Sequence, residues 1–326
     1  MKTLTDNWGR VHDAMRISVT DRCNLRCSYC MPEEGMEFVP RKDVLDYEDL
    51  SFIANVGVSL GINRIRLTGG EPLLRRDLDS FVRMLKAGGV ENVSMTTNGM
   101  LLEKHAKALA DAGLDRLNVS MDSLRVDRFE KVTRWGVLSQ VWRGIEAAKD
   151  AGLGPIKINA LLLKDFNDDE IGGWIDLVKN HEISVRFMEL MPVGDNALEG
   201  LGTFYDLSIL RKTLEAEIGL IRFDGAHVGN GPARYWKAPG WKGSFGFITP
   251  LSNPYCGSCR RLRLTCTGEL RACLAFDESI GLADAARRRD VDAVEAALLL
   301  SVAEKRFSHP WLDGQTTRSG MSAVGG

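Results

Sequence analysis

The sequence lacks an apolar run long enough to cross a bilayer, and its polar start, residues 1–13, has no apolar segment typical of a secretory signal. It also lacks an excess of one charge, since 42 Lys and Arg against 44 Asp and Glu leave a net charge of −2. A chain so close to neutral has no general attraction for nucleic acid or an acidic membrane. We therefore expect a cytoplasmic protein with neither partner, in which an anionic ligand needs a local basic cluster.

Cysteine is absent from a long central part of the chain. The seven cysteines fall into two groups, Cys23, Cys27 and Cys30, and then Cys256, Cys259, Cys266 and Cys273. In a reducing compartment, clustered thiols indicate metal binding more than disulfides. The two groups therefore predict two separate metal sites.

The first group has the spacing C-x-x-x-C-x-x-C. A cubane iron–sulfur cluster takes one thiolate for each iron, so three cysteines leave one iron free to bind a small molecule. A zinc site completed by a distant Cys or His stays open as the alternative for this group.

Six segments alternate polar and apolar residues, as strands do. They are residues 15–20, 64–68, 92–96, 117–122, 157–162 and 185–189, and helical segments lie between them at 77–87, 103–112, 138–151 and 168–180. Strand–helix alternation predicts a parallel sheet, and the polar strand face predicts a hydrophilic lumen. We expect an α/β fold, an incomplete (β/α)6 barrel of the TIM type, open at the side because eight units are needed for closure. A half-solvated antiparallel sheet is the alternative.

The distinctive residues follow the strands, where barrels of this kind carry their chemistry. The cysteine loop follows the first strand, Gly69-Gly70-Glu71-Pro72 follows the second, and Thr97-Asn98-Gly99 follows the third. Ser120 and Met191 lie at or just past later strand ends. These loops therefore predict one site at the carboxyl edge of the sheet.

The strand–helix rhythm ends near residue 192, so we predict a barrel domain over 1–192 and an irregular β-rich region over 193–326. That region contains helices near 206–218 and 291–307. Alternation through a three-residue turn at 267–269 places Cys273 on the face of Arg261 and Arg263, and Cys266 on the apolar face. Cys273 is then the third ligand beside Cys256 and Cys259. A two-residue turn would reverse this, and a zinc ribbon is the alternative site.

Basic residues occupy predicted inward positions of several strands. They are Arg16, Arg66, Lys157, Arg186, Arg261 and Arg263. The planar fork of arginine suits phosphate oxygens, and so many cations in a nearly neutral chain predict a polyphosphate ligand.

The first cysteine run, with Tyr29 just before its third cysteine, and the Gly-Gly-Glu-Pro loop resemble the radical S-adenosylmethionine family. The resemblance implies that S-adenosylmethionine chelates the open iron of a cluster held by Cys23, Cys27 and Cys30. It implies that an electron from the cluster cleaves this cofactor to methionine and a 5′-deoxyadenosyl radical. The residues implied to contact the cofactor are Tyr29, Gly70, Ser120 and Met191.

The two cysteine groups together, the Cys-Arg-Arg-Leu-Arg run at 259–263 and the terminal Gly325-Gly326 resemble the GTP 3′,8-cyclases, lyases that open molybdenum-cofactor biosynthesis. The resemblance implies two [4Fe-4S] clusters, the second on Cys256, Cys259 and Cys273 with guanine on its open iron. The radical would take hydrogen from the ribose C3′, and C3′ would then attack C8 of guanine. The residues implied to contact GTP are Arg16, Arg66, Thr97, Lys157, Arg186, Arg261 and Arg263. Catalytic roles fall on the first three cysteines, Arg261 and Arg263, and the Gly-Gly tail would reach the active site.

The same resemblance implies partners for the chain. These are GTP, a downstream cyclic pyranopterin monophosphate synthase, an electron donor such as flavodoxin or ferredoxin, and a second copy in a homodimer. Two other functions stay open. One is a peptide-modifying radical S-adenosylmethionine enzyme with an auxiliary cluster, and the other is a metal-stabilised binding module without catalysis.

Overall fold

The computed structural model describes residues 3–194, 201–223 and 231–324. Its strands are β1 Ala14–Ser18, β2 Arg64–Thr68, β3 Asn92–Thr97, β4 Arg116–Ser120, β5 Ile156–Leu161, β6 Leu163–Lys164, β7 Ile183–Met188, β8 Thr203–Phe204, β9 Ile221–Arg222, β10 Arg234–Lys237, β11 Ser244–Ile248, β12 Arg261–Leu264, β13 Glu269–Arg271 and β14 Ile280–Gly281. All six strands predicted from alternation are present, with ends that differ from the prediction by at most two residues.

Ten α-helices lie in the described residues. They are α1 Tyr47–Ser59, α2 Leu78–Ala87, α3 Leu102–Asp111, α4 Val126–Thr133, α5 Leu138–Asp150, α6 Ile171–Asn180, α7 Leu207–Ile218, α8 Ala283–Arg287, α9 Val291–Ala303 and α10 Met321–Val324. Helix α9 ends earlier than the predicted residue 307, because the chain turns inward and buries Lys305. No helix in the described ranges combines the length and the apolar character needed to span a bilayer.

The barrel strands β1, β2, β3, β4, β5 and β7 lie side by side, in chain order and parallel. Helices connect them, as right-handed parallel crossovers require. The α/β fold with a partial barrel is thus confirmed, and the antiparallel alternative is wrong.

The C-terminal region adds to both edges of this sheet instead of forming a layer of its own. β12 pairs in parallel with β1, placing Arg263 opposite Arg16, and β11 pairs in parallel with β7, placing Phe247 opposite Phe187. Eight parallel strands therefore lie side by side, in the order β12-β1-β2-β3-β4-β5-β7-β11. The strands β13 and β14 extend one edge and β10 and β9 extend the other, all in antiparallel pairing. In the described residues the two ends of this sheet do not pair, so the barrel stays open. The sheet is continuous across the predicted boundary at 192, which itself stays a prediction.

Strand alternation separates the core from the lumen. Ile17 and Leu67 are fully buried in the apolar core beneath the helices, whereas Arg16 and Arg66 lie on the other face and line the lumen. Helix α2 buries Leu78, Phe81, Val82 and Leu85 at helical spacing against the same core. This packing leaves the polar strand face free to build a site.

Candidate active site

Both cysteine groups face one cavity of about 240 Å³ in the barrel lumen. Its wall includes all six cysteines predicted as ligands, namely Cys23, Cys27, Cys30, Cys256, Cys259 and Cys273. Cys266 does not line it and is only 2% exposed, packed away from the lumen. The structure thus brings residues more than two hundred positions apart to one cavity.

The hairpin β12–β13 explains which cysteines face the cavity. Arg263 lies opposite Arg271 and Leu264 opposite Leu270, so the loop is residues 266–268 and not 267–269 as predicted. Gly268 has φ +86° and donates its N–H to the Thr265 carbonyl at 3.0 Å, as in a three-residue hairpin loop. The predicted turn was wrong by one residue. That error moves the partner of each strand residue by two positions, so every side chain stays on the predicted face of the hairpin.

Two glycines hold the loop after β2 against the cysteine loop. A Cβ on Gly70 would lie 2.3 Å from the Arg22 carbonyl oxygen, and Gly69, at φ +147°, would meet the Thr20 carbonyl oxygen at the same distance. The N–H of Gly70 donates to the Thr20 carbonyl at 2.8 Å. Only glycine permits this backbone approach, which fixes the cysteine loop beside the cavity.

Glu71 is fully buried and joins two of the predicted loops. Its carboxylate accepts hydrogen bonds from Thr97 Oγ1 at 2.7 Å, the Asn98 N–H at 2.7 Å and the Leu73 N–H at 3.0 Å. Burial raises the pKa of Glu71 to about 7 despite these donors. Thr97, predicted to contact substrate, is therefore fixed in position by its hydrogen bond to Glu71 of the Gly-Gly-Glu-Pro loop.

Tyr29, Gly70, Ser120 and Met191 all line the cavity, and Met191 packs in the same apolar cluster as Cys273. The Tyr29 hydroxyl donates to Asp122 Oδ2 at 2.9 Å, and the Leu161 N–H donates to Asp122 Oδ1 at 2.8 Å. Asp122 was not predicted as a site residue. The signal was present, because Asp122 continues the strand face of Ser120 two residues on.

The predicted basic residues divide between the cavity and a smaller one beside it, of about 80 Å³. Arg16, Arg66, Arg186 and Arg261 line both, Arg263 lines the first, and Lys157 lines the second with Arg64 and Arg116, which were not predicted. Lys157 is the second residue of β5, so it lies lower in the lumen than the strand ends. No Asp or Glu of the described residues lines either cavity.

These cations lie close enough that each lowers the pKa of its neighbours. Burial, and then neighbouring arginines, lower the pKa of Lys157 to about 7, that of Arg66 to about 9 and that of Arg263 to about 10. Arg186 is 3% exposed and donates to Asn118 Oδ1 at 2.6 Å, while its buried Nε has no partner. Buried like charges and an unsatisfied donor favour an anionic ligand.

One cysteine sulfur of each group receives a backbone N–H donor, as cluster-bound thiolates do. The Leu25 N–H lies 3.4 Å from Cys23 Sγ, and the Ala275 N–H lies 3.5 Å from Cys273 Sγ. Burial raises the pKa of Cys23 to about 11, so metal binding there must displace a proton. Burial would do the same to Cys259, but Arg261 and Lys305 outweigh it and bring its pKa to about 6.

The donor chemistry of each group thus fits an iron–sulfur cluster held by three thiolates. Within the described ranges, no three His, Cys, Asp or Glu side chains converge closely enough to hold a single metal ion.

The C-terminal segment covers part of the cavity. Met321 and Ser322 of α10 line it, and Arg263 Nη1 donates to the Val324 carbonyl at 3.0 Å. Gly325 and Gly326 lie outside the described residues, so the predicted reach of the Gly-Gly tail stays a prediction.

Comparison with known proteins places this arrangement in a family. The Radical SAM superfamily profile matches residues 17–178, and the Molybdenum Cofactor Synthesis C profile matches residues 183–311. The chain is 40% identical over 325 residues to the GTP 3′,8-cyclase of Pelotomaculum thermopropionicum, covering 99% of this chain and 100% of the relative. It is 46% identical over 287 residues to that of Listeria welshimeri, covering 86% and 85%.

Among solved structures, Streptococcus suis SuiB bound to S-adenosylmethionine has a TM-score of 0.60 at 17% identity, covering 91% of this chain and 69% of SuiB. That likeness concerns the fold alone. Sheet, cavity and profiles together define a protein of the radical S-adenosylmethionine class. Within that class, the chain belongs to the GTP 3′,8-cyclase family.

Proposed function

We propose that the protein is a lyase that converts GTP to 3′,8-cyclo-7,8-dihydroguanosine 5′-triphosphate, the first step of molybdenum-cofactor biosynthesis. The observation that carries the proposal is one cavity that joins two three-cysteine groups to a wall of arginines, with no carboxylate from the described residues. Such a cavity suits a cofactor at one end and a polyanionic nucleotide at the other. Membership of the cyclase family supports the same substrate.

Cys23, Cys27 and Cys30 would hold the first [4Fe-4S] cluster, with S-adenosylmethionine on its open iron. Tyr29, Gly70, Ser120 and Met191 line the same cavity and would position the cofactor. The Gly70 backbone is fixed by its contact with the cysteine loop, and Tyr29 by its hydrogen bond to Asp122. These residues would orient the cofactor before any electron transfer, which favours a single cleavage geometry.

Cys256, Cys259 and Cys273 would hold a second [4Fe-4S] cluster, whose open iron would bind guanine. The triphosphate would then lie against the arginines shared by the two cavities, Arg16, Arg66, Arg186 and Arg261. Arg263 lies opposite Arg16 on the neighbouring strand, and Lys157 lies further along the lumen. Thr97, held by Glu71, would contact the nucleotide between the two groups.

When bound, the first cluster and its cofactor would supply a 5′-deoxyadenosyl radical to take hydrogen from the ribose C3′. Bonding of C3′ to C8 of guanine would leave a radical on the base, so the 7,8-dihydro product would require one further electron, from the external donor that reduces the first cluster, and one proton from solvent. The chain's own residues would hold C3′ and C8 in reach of each other through the phosphate contacts. The arginines would also hold the charged nucleotide inside the lumen by its phosphates. Arg261 and Arg263 act closest to the second cysteine group, since Arg261 Nη2 lies 3.6 Å from Cys259 Sγ.

The partners belong to the same proposal. Reduction of the first cluster requires a one-electron donor such as flavodoxin or ferredoxin, and the cyclised nucleotide would pass to a cyclic pyranopterin monophosphate synthase. We also propose that the protein is located in the cytoplasm and forms a homodimer.

The test is turnover by anaerobically reconstituted protein. With reductant, S-adenosylmethionine and GTP, we expect equal amounts of 5′-deoxyadenosine and a cyclised nucleotide, separated by chromatography and identified by mass spectrometry. Deuterium at the GTP C3′ should appear in the 5′-deoxyadenosine. Zinc in place of iron at both sites, or 5′-deoxyadenosine without deuterium, would refute the proposal.

The second cysteine group gives a separate prediction. Cys273→Ala should lower iron and sulfide in anaerobically purified protein by about half, because one of two clusters loses a ligand. Cys266→Ala is the matched control and should keep the full content, because Cys266 is buried outside the cavity. Equal losses in the two variants would contradict the assignment of ligands.

A further inference from the structure

Lys305 lies just after α9 and is only 3% exposed. Its Nζ donates to the Arg261 carbonyl and to the Ala272 carbonyl, each at 2.6 Å. Arg261 is two residues after Cys259, and Ala272 directly precedes Cys273. One ammonium group therefore ties together the two segments that carry these cysteines.

Among the residues that the structure describes, the charge of Lys305 has no carboxylate partner. In the described part of the chain, its hydrogen bonds go to the two carbonyls, and it forms no ion pair with Asp or Glu. Burying a cation without a counter-charge is strongly unfavourable, so a nearby group must carry the compensating negative charge. Burial lowers the pKa of Lys305, whereas thiolates at Cys259 and Cys273 would raise it, which places both sulfurs within electrostatic reach.

Lys305 also lies outside the walls of both cavities. It lines neither cavity, whereas Arg261 and Arg263 face the lumen where an anionic substrate would bind. The oxygens of a bound polyphosphate would therefore pair with the arginines. The ammonium group of Lys305 would then interact with the cysteine thiolates. Another cation nearby is Arg10, whose Nη1 donates to the Cys256 carbonyl at 2.7 Å and whose Nε pairs with Asp6 at 2.6 Å.

We propose that Lys305 is the positioning and counter-charge residue of the iron–sulfur cluster held by Cys256, Cys259 and Cys273. The inference rests on the second cluster of the proposed function. Removing the positive charge would disfavour three thiolates in a buried site and would make the cluster harder to reduce. Both the amount of cluster bound and its reduction potential should therefore depend on the charge at this position.

The test uses a full-length background, C23A/C27A/C30A, in which only the second cluster can assemble. K305M keeps the length of the side chain without its charge, and K305R keeps the charge. K107M is the matched control, because Lys107 is exposed on α3 and pairs with Asp111. Iron per chain after anaerobic reconstitution and the midpoint potential followed by electron paramagnetic resonance are measured for each.

We expect K305M to bind severalfold less iron and its remaining cluster to show a lower potential, while K305R and K107M match the background. Unchanged iron and potential in K305M would overturn the inference. So would equal iron loss in K305R and K305M, because packing and not charge would then be the cause. A background that binds no iron would instead refute the second cluster itself, and the role of Lys305 with it.

Discussion

Gly70→Ala should abolish S-adenosylmethionine binding and with it the formation of 5′-deoxyadenosine. The new Cβ would lie 2.3 Å from the Arg22 carbonyl oxygen and 2.7 Å from that of Asp21. Both neighbours are backbone atoms of the cysteine loop, so relief requires the loop itself to move. Overpacking of this kind costs about 1–3 kcal/mol in stability, and the displaced loop would no longer present its thiols correctly.

Gly172→Ala is the matched control for this change. A Cβ on Gly172 meets no heavy atom within 4 Å, and the residue lies in the first turn of α6 without a positive φ. Alanine there should stabilise the protein by up to about 1 kcal/mol. Thermal unfolding and titration with S-adenosylmethionine distinguish the two variants. Wild-type cofactor affinity in Gly70→Ala would show that the loop contact is not required.

Arg261→Ala and Arg263→Ala should each weaken GTP binding by about ten- to a hundredfold, because a charge-assisted hydrogen bond contributes about 1.5–3 kcal/mol. Cleavage of S-adenosylmethionine in the absence of GTP should change far less, since neither side chain lies in the first cysteine loop. Isothermal titration with GTP measures the first effect, and 5′-deoxyadenosine release measures the second.

Two controls separate phosphate recognition from general damage. Arg83→Ala removes an exposed arginine of α2 that pairs with Asp79, and GTP affinity should be unchanged. Guanosine lacks the triphosphate, so its affinity should fall much less than that of GTP in the two active-site variants. An equal loss for guanosine and GTP would mean that the arginines support the cavity and do not contact phosphate.

The barrel strands could be predicted because their signal is local. Arg16 and Arg66 alternate with buried Ile17 and Leu67, and a period of two fixes both the strand and its inward face. The pairing of β12 with β1 has no such signal. It joins residues far apart in the chain, and nothing in either short strand specifies the other as its neighbour. Six parallel strands were therefore predicted where eight are found.

The residues of the site likewise divide into those with a local sequence signal and those whose position depends on tertiary packing. Cysteine spacing and strand faces predicted the residues that line the cavity, because both depend on short-range patterns. Lys305 follows an apolar helix and looks like an ordinary charge at a helix end. Its burial depends on the N-terminal loop, where Trp8 Nε1 donates to the Lys305 carbonyl at 3.1 Å. Packing between the two ends of the chain is a tertiary property that sequence pattern does not reveal.

The place of β12 beside β1 bears on how the protein matures during synthesis. Until residue 264 has left the ribosome, β1 has an open edge, and its Arg16 has no Arg263 opposite. The lumen then lacks the wall formed by β12, and the two cysteine groups do not yet face one cavity. The two sets of sulfurs therefore share one lumen only after the segment that carries Cys273 has been synthesised and β12 has paired with β1, so the paired sites are completed after translation of that segment.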